Sequence, residues 1–287
     1  MKDLIIGCYT DYNWDKIKHW SNSIDQSGFT GDKVMIVFNS DYATVNKLLE
    51  RNFKIYAFQR DDTTSRFFFP GKFSIVVERF FHIWAYLNNL SSSNQYRYVI
   101  TTDVRDVVFQ LNPSSWLENN LNDKKLLVSS ESLKYEDEAW GLNNMQLSFP
   151  MMFDYMKTKQ IYNCGVLAGD LETIKDLALN LFLTCNGLPG QVPGGGGPDQ
   201  AALNVLLQTQ LYRNITKFSN SEDGWACQSG TTVDPSKINT FRPKLLEAEP
   251  KWDGEYATTS SGVRHVVLHQ WDRIPAWTKT IETKYAD

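Results

Sequence analysis

Short runs of apolar residues alternate with helical patterns along the first part of the chain. The runs at 3–10, 32–41 and 53–62 are apolar on both faces and end in polar residues. Buried parallel strands have this pattern, because helices cover both faces of their sheet. Between these runs, residues 13–28 and 42–52 place apolar side chains at helical spacing. This strand and helix order predicts an α/β sheet of nucleotide-binding type.

The pattern continues to about residue 215 and then weakens into loops and short strands. Further elements are predicted as strands at 98–110, 125–132 and 162–170, helices at 70–90, 171–183 and 199–208, and a last strand and turn within 263–277. The chain shows no internal repeat and no linker. We therefore expect one domain over residues 1–287, with a central, mostly parallel sheet flanked by helices.

Composition and charge narrow the class of protein. The chain has 287 residues, is 42% hydrophobic and carries a formal net charge of −4 without a basic stripe, which argues against nucleic acid as a partner. No apolar run is long enough to predict a membrane span. The first residues resemble a strand more than a signal peptide, and the four cysteines lack metal-site spacing. A reducing, cytoplasmic location is the expectation that follows.

Charged residues interrupt the apolar segment 98–110, where Asp103, Arg105 and Asp106 stand between valines and isoleucines. A buried carboxylate is costly unless it is paired or bound to a metal. In a regular strand Asp106 faces away from Asp103, whereas a break at Val104 lets both turn to one point beyond the strand end. Ligands of α/β sheets bind at such ends, and two carboxylates there suit Mg²⁺ or Mn²⁺ with a diphosphate. An Asp–Arg ion pair that caps the strand is the structural alternative.

Three other segments offer weaker candidates for binding. His269 and Arg273 follow an apolar strand near the end of the chain, as a possible metal ligand and phosphate contact. The glycine-rich stretch at 185–198 precedes the helix that begins near Asp199, and it suits an anion cradle or a flap over a site. Lys72 and Arg79 share one side of a predicted helix, either as solvated cations or as a phosphate contact.

The order of four short motifs resembles the GT-A fold glycosyltransferases. These are the Asp-containing strand end, "NCGVLAG" at 163–169, "DQAALN" at 199–204 and "HQWDR" at 269–273, and the resemblance covers most of the chain. It implies an enzyme that transfers a hexose or pentose from a nucleoside-diphosphate sugar to an acceptor hydroxyl of a glycan. A UDP-sugar is the preferred donor, and Mn²⁺ or Mg²⁺ the expected cofactor.

The metal motif of this family is usually Asp-x-Asp, and here the sequence is "DVRD" at 103–106. Three assignments are therefore open: a metal held by Asp103 and Asp106, a metal held by Asp103 with water, or Arg105 in place of part of the metal's charge. We prefer the first. The resemblance also implies that His269 is the C-terminal metal ligand, as in the glycogenin-like group.

The resemblance implies roles for further residues. Donor contacts are expected from Cys8, Tyr9 and Thr10 to the base and ribose, from Thr102 and Asp103 at the strand end, from Asn163, Gly165, Asp199 and Gln200 to the sugar, and from Lys72, Arg79 and Arg273 to the diphosphate. An inverting enzyme needs a carboxylate base, for which Asp170, Asp199 and Glu131 are the candidates. The His269 match favours a retaining enzyme, and Arg105 is a further catalytic candidate.

Three other functions are compatible with some of these sequence features. A sugar-nucleotidyltransferase shares the sheet and the carboxylates, but it usually carries a glycine-rich, basic loop where this chain has "GCYTDYNWD". A glycoside hydrolase needs two carboxylates that face each other across a cleft. A non-catalytic carbohydrate-binding protein would use the aromatic residues, which make up 13% of the chain, and would not bind a diphosphate at Asp103 and Asp106.

Overall fold

Strands and helices alternate through most of the structure, a computed structural model that describes residues 1–58, 75–91, 96–188, 192–193 and 195–286. The strands are β1 (Lys2–Thr10), β2 (Asp32–Phe38), β3 (Phe53–Phe58), β4 (Tyr96–Thr102), β5 (Val107–Phe109), β6 (Leu126–Lys134), β7 (Gln160–Asp170), β8 (Thr216–Ser219), β9 (Ala226–Gln228), β10 (Lys251–Trp252), β11 (Ala257–Thr258) and β12 (Val267–His269). The helices are α1 (Trp14–Gln26), α2 (Tyr42–Glu50), α3 (Ile75–Asn88), α4 (Pro113–Asn120), α5 (Ala139–Ser148), α6 (Phe153–Met156), α7 (Leu171–Cys185), α8 (Asp199–Leu206), α9 (Gln210–Ile215), α10 (Ser229–Thr232), α11 (Ile238–Phe241) and α12 (Pro275–Lys284).

The central sheet has the strand order β3-β2-β1-β4-β7-β6-β8. Its neighbours are parallel except around β7, which runs antiparallel to both β4 and β6. The predicted α/β architecture with a mostly parallel sheet is confirmed. Because β7 is reversed, its first half lies at the same edge of the sheet as the last residues of β1 and β4.

Successive side chains of β1 serve two different cores. Leu4 and Ile6 join the cluster that α3 and α7 cover, whereas Ile5 joins the cluster that α1 covers through Ile17 and Trp20. Side chains of a strand alternate between the faces of its sheet, so a strand covered on both sides is apolar at every position. This explains the continuous apolar run at the start of the sequence. The sheet is therefore the middle of three layers.

A second, three-stranded sheet brings the end of the chain to the central sheet. Its order is β5-β12-β9, and β12 pairs antiparallel with β5 and parallel with β9. His269 is thereby aligned with Val107 on one side and with Gln228 on the other. Since β5 begins directly after the turn at 103–106, this pairing brings His269 beside that turn.

The predicted elements match the structure at most positions, and the differences are local. The segment 98–110 is two strands in two sheets, because β4 ends at Thr102 and β5 starts at Val107. The helix expected over 70–90 is described from Ile75, and residues 59–74 lie outside the described part. The sequence pattern does not predict α4, α5 or α12. The last of these follows β12 and packs Trp277 and Ile281 into a separate small core. Among the described residues, no helix combines the length and apolar character needed to cross a membrane.

Candidate functional site

The turn between β4 and β5 directs two carboxylates to one point. The Asp103 backbone N–H donates a 2.8 Å hydrogen bond to the carbonyl of Gly165 on β7. The Val104 side chain is buried among the residues that α1 covers, which anchors the turn in the core. Asp103 and Asp106 consequently point the same way. One ligand atom from each of them and one from His269 all lie within 4.8 Å of one another.

A hydrogen-bond chain orients the imidazole of His269. The Gln228 amide nitrogen donates to Ser129 Oγ at 2.6 Å, which leaves the Gln228 oxygen to accept from His269 Nδ1–H at 2.7 Å. His269 Nε2 is then the free ring nitrogen. It lies 3.6 Å from Asp103 Oδ2 and 3.8 Å from Asp106 Oδ1, is buried, and has no hydrogen-bond partner among the described residues.

The arrangement leaves room for a cation. A ring nitrogen that faces two carboxylates needs a proton or a metal ion between them. Burial opposes charge on His269, but its contacts with Asp103 and Asp106 raise the pKa of the ring. A Cβ on Gly165 would lie 2.6 Å from Asp103 Oδ2 and 2.7 Å from His269 Cε1, so only glycine keeps this space open. Two carboxylates and one imidazole are a donor set that fits Mn²⁺ or Mg²⁺.

Arg79 links the cluster to a further carboxylate. From α3 its guanidinium forms an ion pair with Asp103 and reaches Asp199 Oδ2, in the first turn of α8, at 3.1 Å. Burial opposes ionisation of Asp103, but the Arg79 charge and then His269 hold the pKa of its carboxyl well below its usual value. Burial raises the pKa of the Asp199 carboxyl, although the nearby Arg79 charge acts to lower this pKa. This network keeps Asp103 ionised, as a metal ligand must be.

Two adjoining cavities open on either side of the turn at 103–106. The smaller, about 400 Å³, is lined by the end of β1, namely Cys8, Tyr9, Thr10 and the following Tyr12. The larger, about 500 Å³, is lined by Glu131, Trp140, Asn163, Gly165, Asp199 and Gln200. Arg79, Asp103, Arg105 and Arg273 line both. The candidate metal cluster therefore lies where the two cavities meet.

Polar residues form the floor of the larger cavity. Asn163 Nδ2 donates to Glu131 Oε1 at 2.6 Å, and its oxygen accepts from the Gly165 N–H at 2.7 Å. Burial raises the pKa of the Glu131 carboxyl, against the hydrogen bond from Asn163. Gln200 Oε1 lies 3.4 Å from both Asn163 Nδ2 and the Cys164 nitrogen. These side chains hold one another in place and suit hydroxyl-rich ligands.

A few of the expected site residues lie elsewhere. Asp170 is the N-cap of α7, where its carboxylate accepts from the Thr173 N–H at 2.7 Å. It pairs with Tyr98, four residues before Thr102 on β4, so roughly 13 Å of strand separates it from the cluster. The structure thus places Asp170 apart from the other catalytic candidates. Thr102 is buried and accepts a hydrogen bond from Trp20, and Lys72 lies outside the described residues.

Three residues that contact the site or line its larger cavity were not predicted from the sequence. Gln228 stands in a short strand within a region that showed little pattern, and only the pairing of β9 with β12 reveals its contact with His269. Asp272 lies in the quoted "HQWDR" motif but received no role. Its carboxylate lies 3.4 Å from Arg105 Nη2. Trp140, at the start of α5, donates to the Gly195 carbonyl and faces the larger cavity.

Comparisons with known proteins identify the fold. No protein-family model matches the chain, and no curated protein matches it by sequence. The apo structure of the bifunctional glycosyltransferase WbbM superposes with a TM-score of 0.56 at 11% identity, covering 93% of this chain and 45% of WbbM. The galactosyltransferase LgtC, solved with donor and acceptor sugar analogues, gives a TM-score of 0.54 at 14% identity, covering 98% of this chain and 95% of LgtC. The chain spans less than half of WbbM and has the GT-A fold that its motifs predict.

Proposed function

We propose that this chain is a metal-dependent glycosyltransferase. It moves a hexose or pentose from a nucleoside-diphosphate sugar, with UDP as the preferred carrier, to a hydroxyl group of a glycan acceptor. The observation that carries the proposal is the cluster of Asp103, Asp106 and His269 at the junction of two cavities. The likeness to LgtC, whose structure contains donor and acceptor sugar analogues, supports a sugar as the transferred group.

The two cavities suit the two halves of such a donor. In the smaller cavity the half-buried Tyr12 stacks on Tyr9, with ring centroids 6.0 Å apart and planes 9° apart, and offers a flat face to a base. The diphosphate then lies at the junction, within reach of Arg273. The sugar enters the larger cavity, where Asn163, Asp199 and Gln200 supply polar contacts.

Asp103, Asp106 and His269 would hold Mn²⁺ or Mg²⁺ at this junction. When bound, the cation supplies positive charge to the departing diphosphate and so lowers the barrier to transfer. Arg79 keeps Asp103 ionised and in place, and Gln228 presents the free nitrogen of His269. Gly165 leaves the space between these ligands open.

The surroundings of the three candidate carboxylates favour Glu131 as a general base. Asp170 is remote, and Asp199 is ion-paired with Arg79. Glu131 faces the larger cavity, where it accepts a hydrogen bond from a neutral amide. An inverting reaction would use Glu131 as base, whereas a retaining reaction, which the His269 match favours, does not need it. The anomeric configuration of the product, read by NMR, separates these two cases.

Nucleotide titration tests the proposal. UDP and GDP are titrated by calorimetry with and without Mn²⁺ into the wild type, the Asp103→Asn variant, and an Asp123→Ala control whose carboxylate is 84% exposed. We expect metal-dependent UDP binding in the wild type and the control, and its loss in Asp103→Asn. Equal binding by Asp103→Asn would contradict the metal site.

Turnover separates the rival functions. A glycosyltransferase releases UDP from one member of a panel of UDP-sugars in the presence of Mn²⁺ and an acceptor. A sugar-nucleotidyltransferase instead releases or consumes pyrophosphate with a sugar phosphate. A carbohydrate-binding protein binds glycans but turns over neither substrate.

A further inference from the structure

The two oxygens of the Asp106 carboxylate have different partners. Oδ1 lies 3.8 Å from His269 Nε2, on the side of the candidate metal cluster. Oδ2 accepts a 3.2 Å hydrogen bond from Arg105 Nη2, on the other side. The same Arg105 nitrogen lies 3.4 Å from Asp272 Oδ2. Arg105 therefore bridges Asp106 to the segment that follows β12.

The segment after β12 is itself fixed to the turn. The Gln270 backbone N–H donates a 2.6 Å hydrogen bond to the Asp106 carbonyl, and Gln270 takes the left-handed conformation with φ of 61°. Asp272 follows two residues later in a short 3-10 turn. A backbone contact and a side-chain contact thus join the same two pieces of chain. Asp272 can hold Arg105 in one place because its own position is set by this connection.

We propose that Arg105 is a positioning residue, which Asp272 holds against Asp106 so that the remaining Asp106 oxygen faces Asp103 and His269. The inference rests on the proposed function, since it requires a cation at the cluster. The contacts of Arg105 with Asp106 and Asp272 explain how Asp106, one residue later than the usual second Asp of the Asp-x-Asp motif, can still serve as a metal ligand. Partners of metal-ligating carboxylates commonly orient them in this way, and their loss costs ten- to a hundredfold in metal affinity.

A role for Arg105 as a positive charge toward the diphosphate makes the opposite prediction. The Arg105 side chain is 45% exposed and lines both cavities, so a charge role must be tested against the positioning role. A guanidinium beside the cluster repels a cation, and its removal alone would tighten metal binding. If Arg105 orients Asp106, its removal weakens metal binding. The direction of the change therefore decides between the two roles.

The test measures Mn²⁺ affinity without nucleotide, by electron paramagnetic resonance, in the full chain. Arg105→Met removes both the charge and the hydrogen-bond donors while keeping an unbranched side chain, and Arg105→Lys keeps a charged donor. We expect Arg105→Met to weaken Mn²⁺ binding about tenfold or more. We expect Arg105→Lys to stay within roughly threefold of the wild type, because one charge-assisted hydrogen bond to Asp106 remains.

Unchanged or tighter Mn²⁺ binding by Arg105→Met would overturn the positioning role. If the methionine variant does not fold, Arg105→Gln carries the test, because it too lacks the charge. Weaker Mn²⁺ binding than the wild type by Arg105→Gln would support the inference, and unchanged or tighter binding would overturn it. A wild type that takes up no Mn²⁺ would instead overturn the metal site of the proposed function.

Discussion

Replacing Gly165 with alanine puts a methyl group between the ligands of the candidate metal cluster. The added Cβ would lie 2.6 Å from Asp103 Oδ2, whereas ordinary contact begins at 3.4 Å, so a shift of about 0.8 Å is needed. Ligand distances in metal sites hold to within about 0.2 Å. The required shift is several times this tolerance. We therefore expect Gly165→Ala to lose Mn²⁺ binding, with an overpacking cost of about 1–3 kcal/mol in the free energy of unfolding.

Thermal unfolding with and without Mn²⁺ measures this effect. A cation at 100 times its dissociation constant stabilises the folded state by about 2.7 kcal/mol, which for a chain of 287 residues raises Tm by roughly 4–5 °C. The wild type should show this rise and Gly165→Ala should not. Gly254→Ala is the control, since its φ of +106° strains alanine while no atom in the described part of the chain lies within 4 Å of the new Cβ. A full Mn²⁺-dependent rise in Gly165→Ala would show that the cation does not bind between Asp103 and His269.

Three further predictions concern residues around the site and in the core. Asp170→Ala should lower the free energy of unfolding by about 1 kcal/mol through loss of the α7 cap, with UDP binding unchanged; a calorimetric loss of UDP binding would return Asp170 to the site. Trp140 lines the larger cavity, which the donor sugar enters, so Trp140→Ala should raise the KM for the sugar donor up to about tenfold and leave UDP binding unchanged; steady-state kinetics with an unchanged donor KM would contradict its contact with the sugar. Burial lowers the pKa of His265 in the folded chain to about 4. As the pH falls, this histidine is therefore protonated in the unfolded chain before it is protonated in the folded one. Stability should therefore drop by about 3 kcal/mol between pH 6.5 and pH 4, and urea unfolding of His265→Gln with the same pH dependence would refute this.

The layered sheet was predictable because its signal is local. The buried strands β1 and β2 are continuous apolar stretches of sequence. The helices α1 and α7 have apolar residues at helical spacing and are followed by residues that end helices. The break after Thr102 could be anticipated as well, since charged residues at Asp103 and Asp106 do not fit the interior of a sheet. The reversed direction of β7 had no such signal, because strand direction depends on how the chain crosses the sheet.

The side chains that hold the site residues in place come from segments distant in sequence. The spacing of apolar residues along the chain does not predict such contacts. Gln228 and His269 meet only because β9 and β12 pair in a second sheet. The sequence also does not show how far Asp170 lies from the cluster, because an aspartate that ends a strand and begins a helix is a good N-cap wherever it lies. Its position at the far end of β7 follows from strand direction.

Anomalous diffraction at the manganese edge, from crystals grown with Mn²⁺ and UDP, would locate the metal and the nucleotide in one experiment. We expect a manganese peak bounded by Asp103, Asp106 and His269, with the UDP diphosphate against it and the base in the cavity beside Tyr12. Manganese absent from this cluster, or UDP bound away from it, would contradict the proposed metal-dependent transfer site.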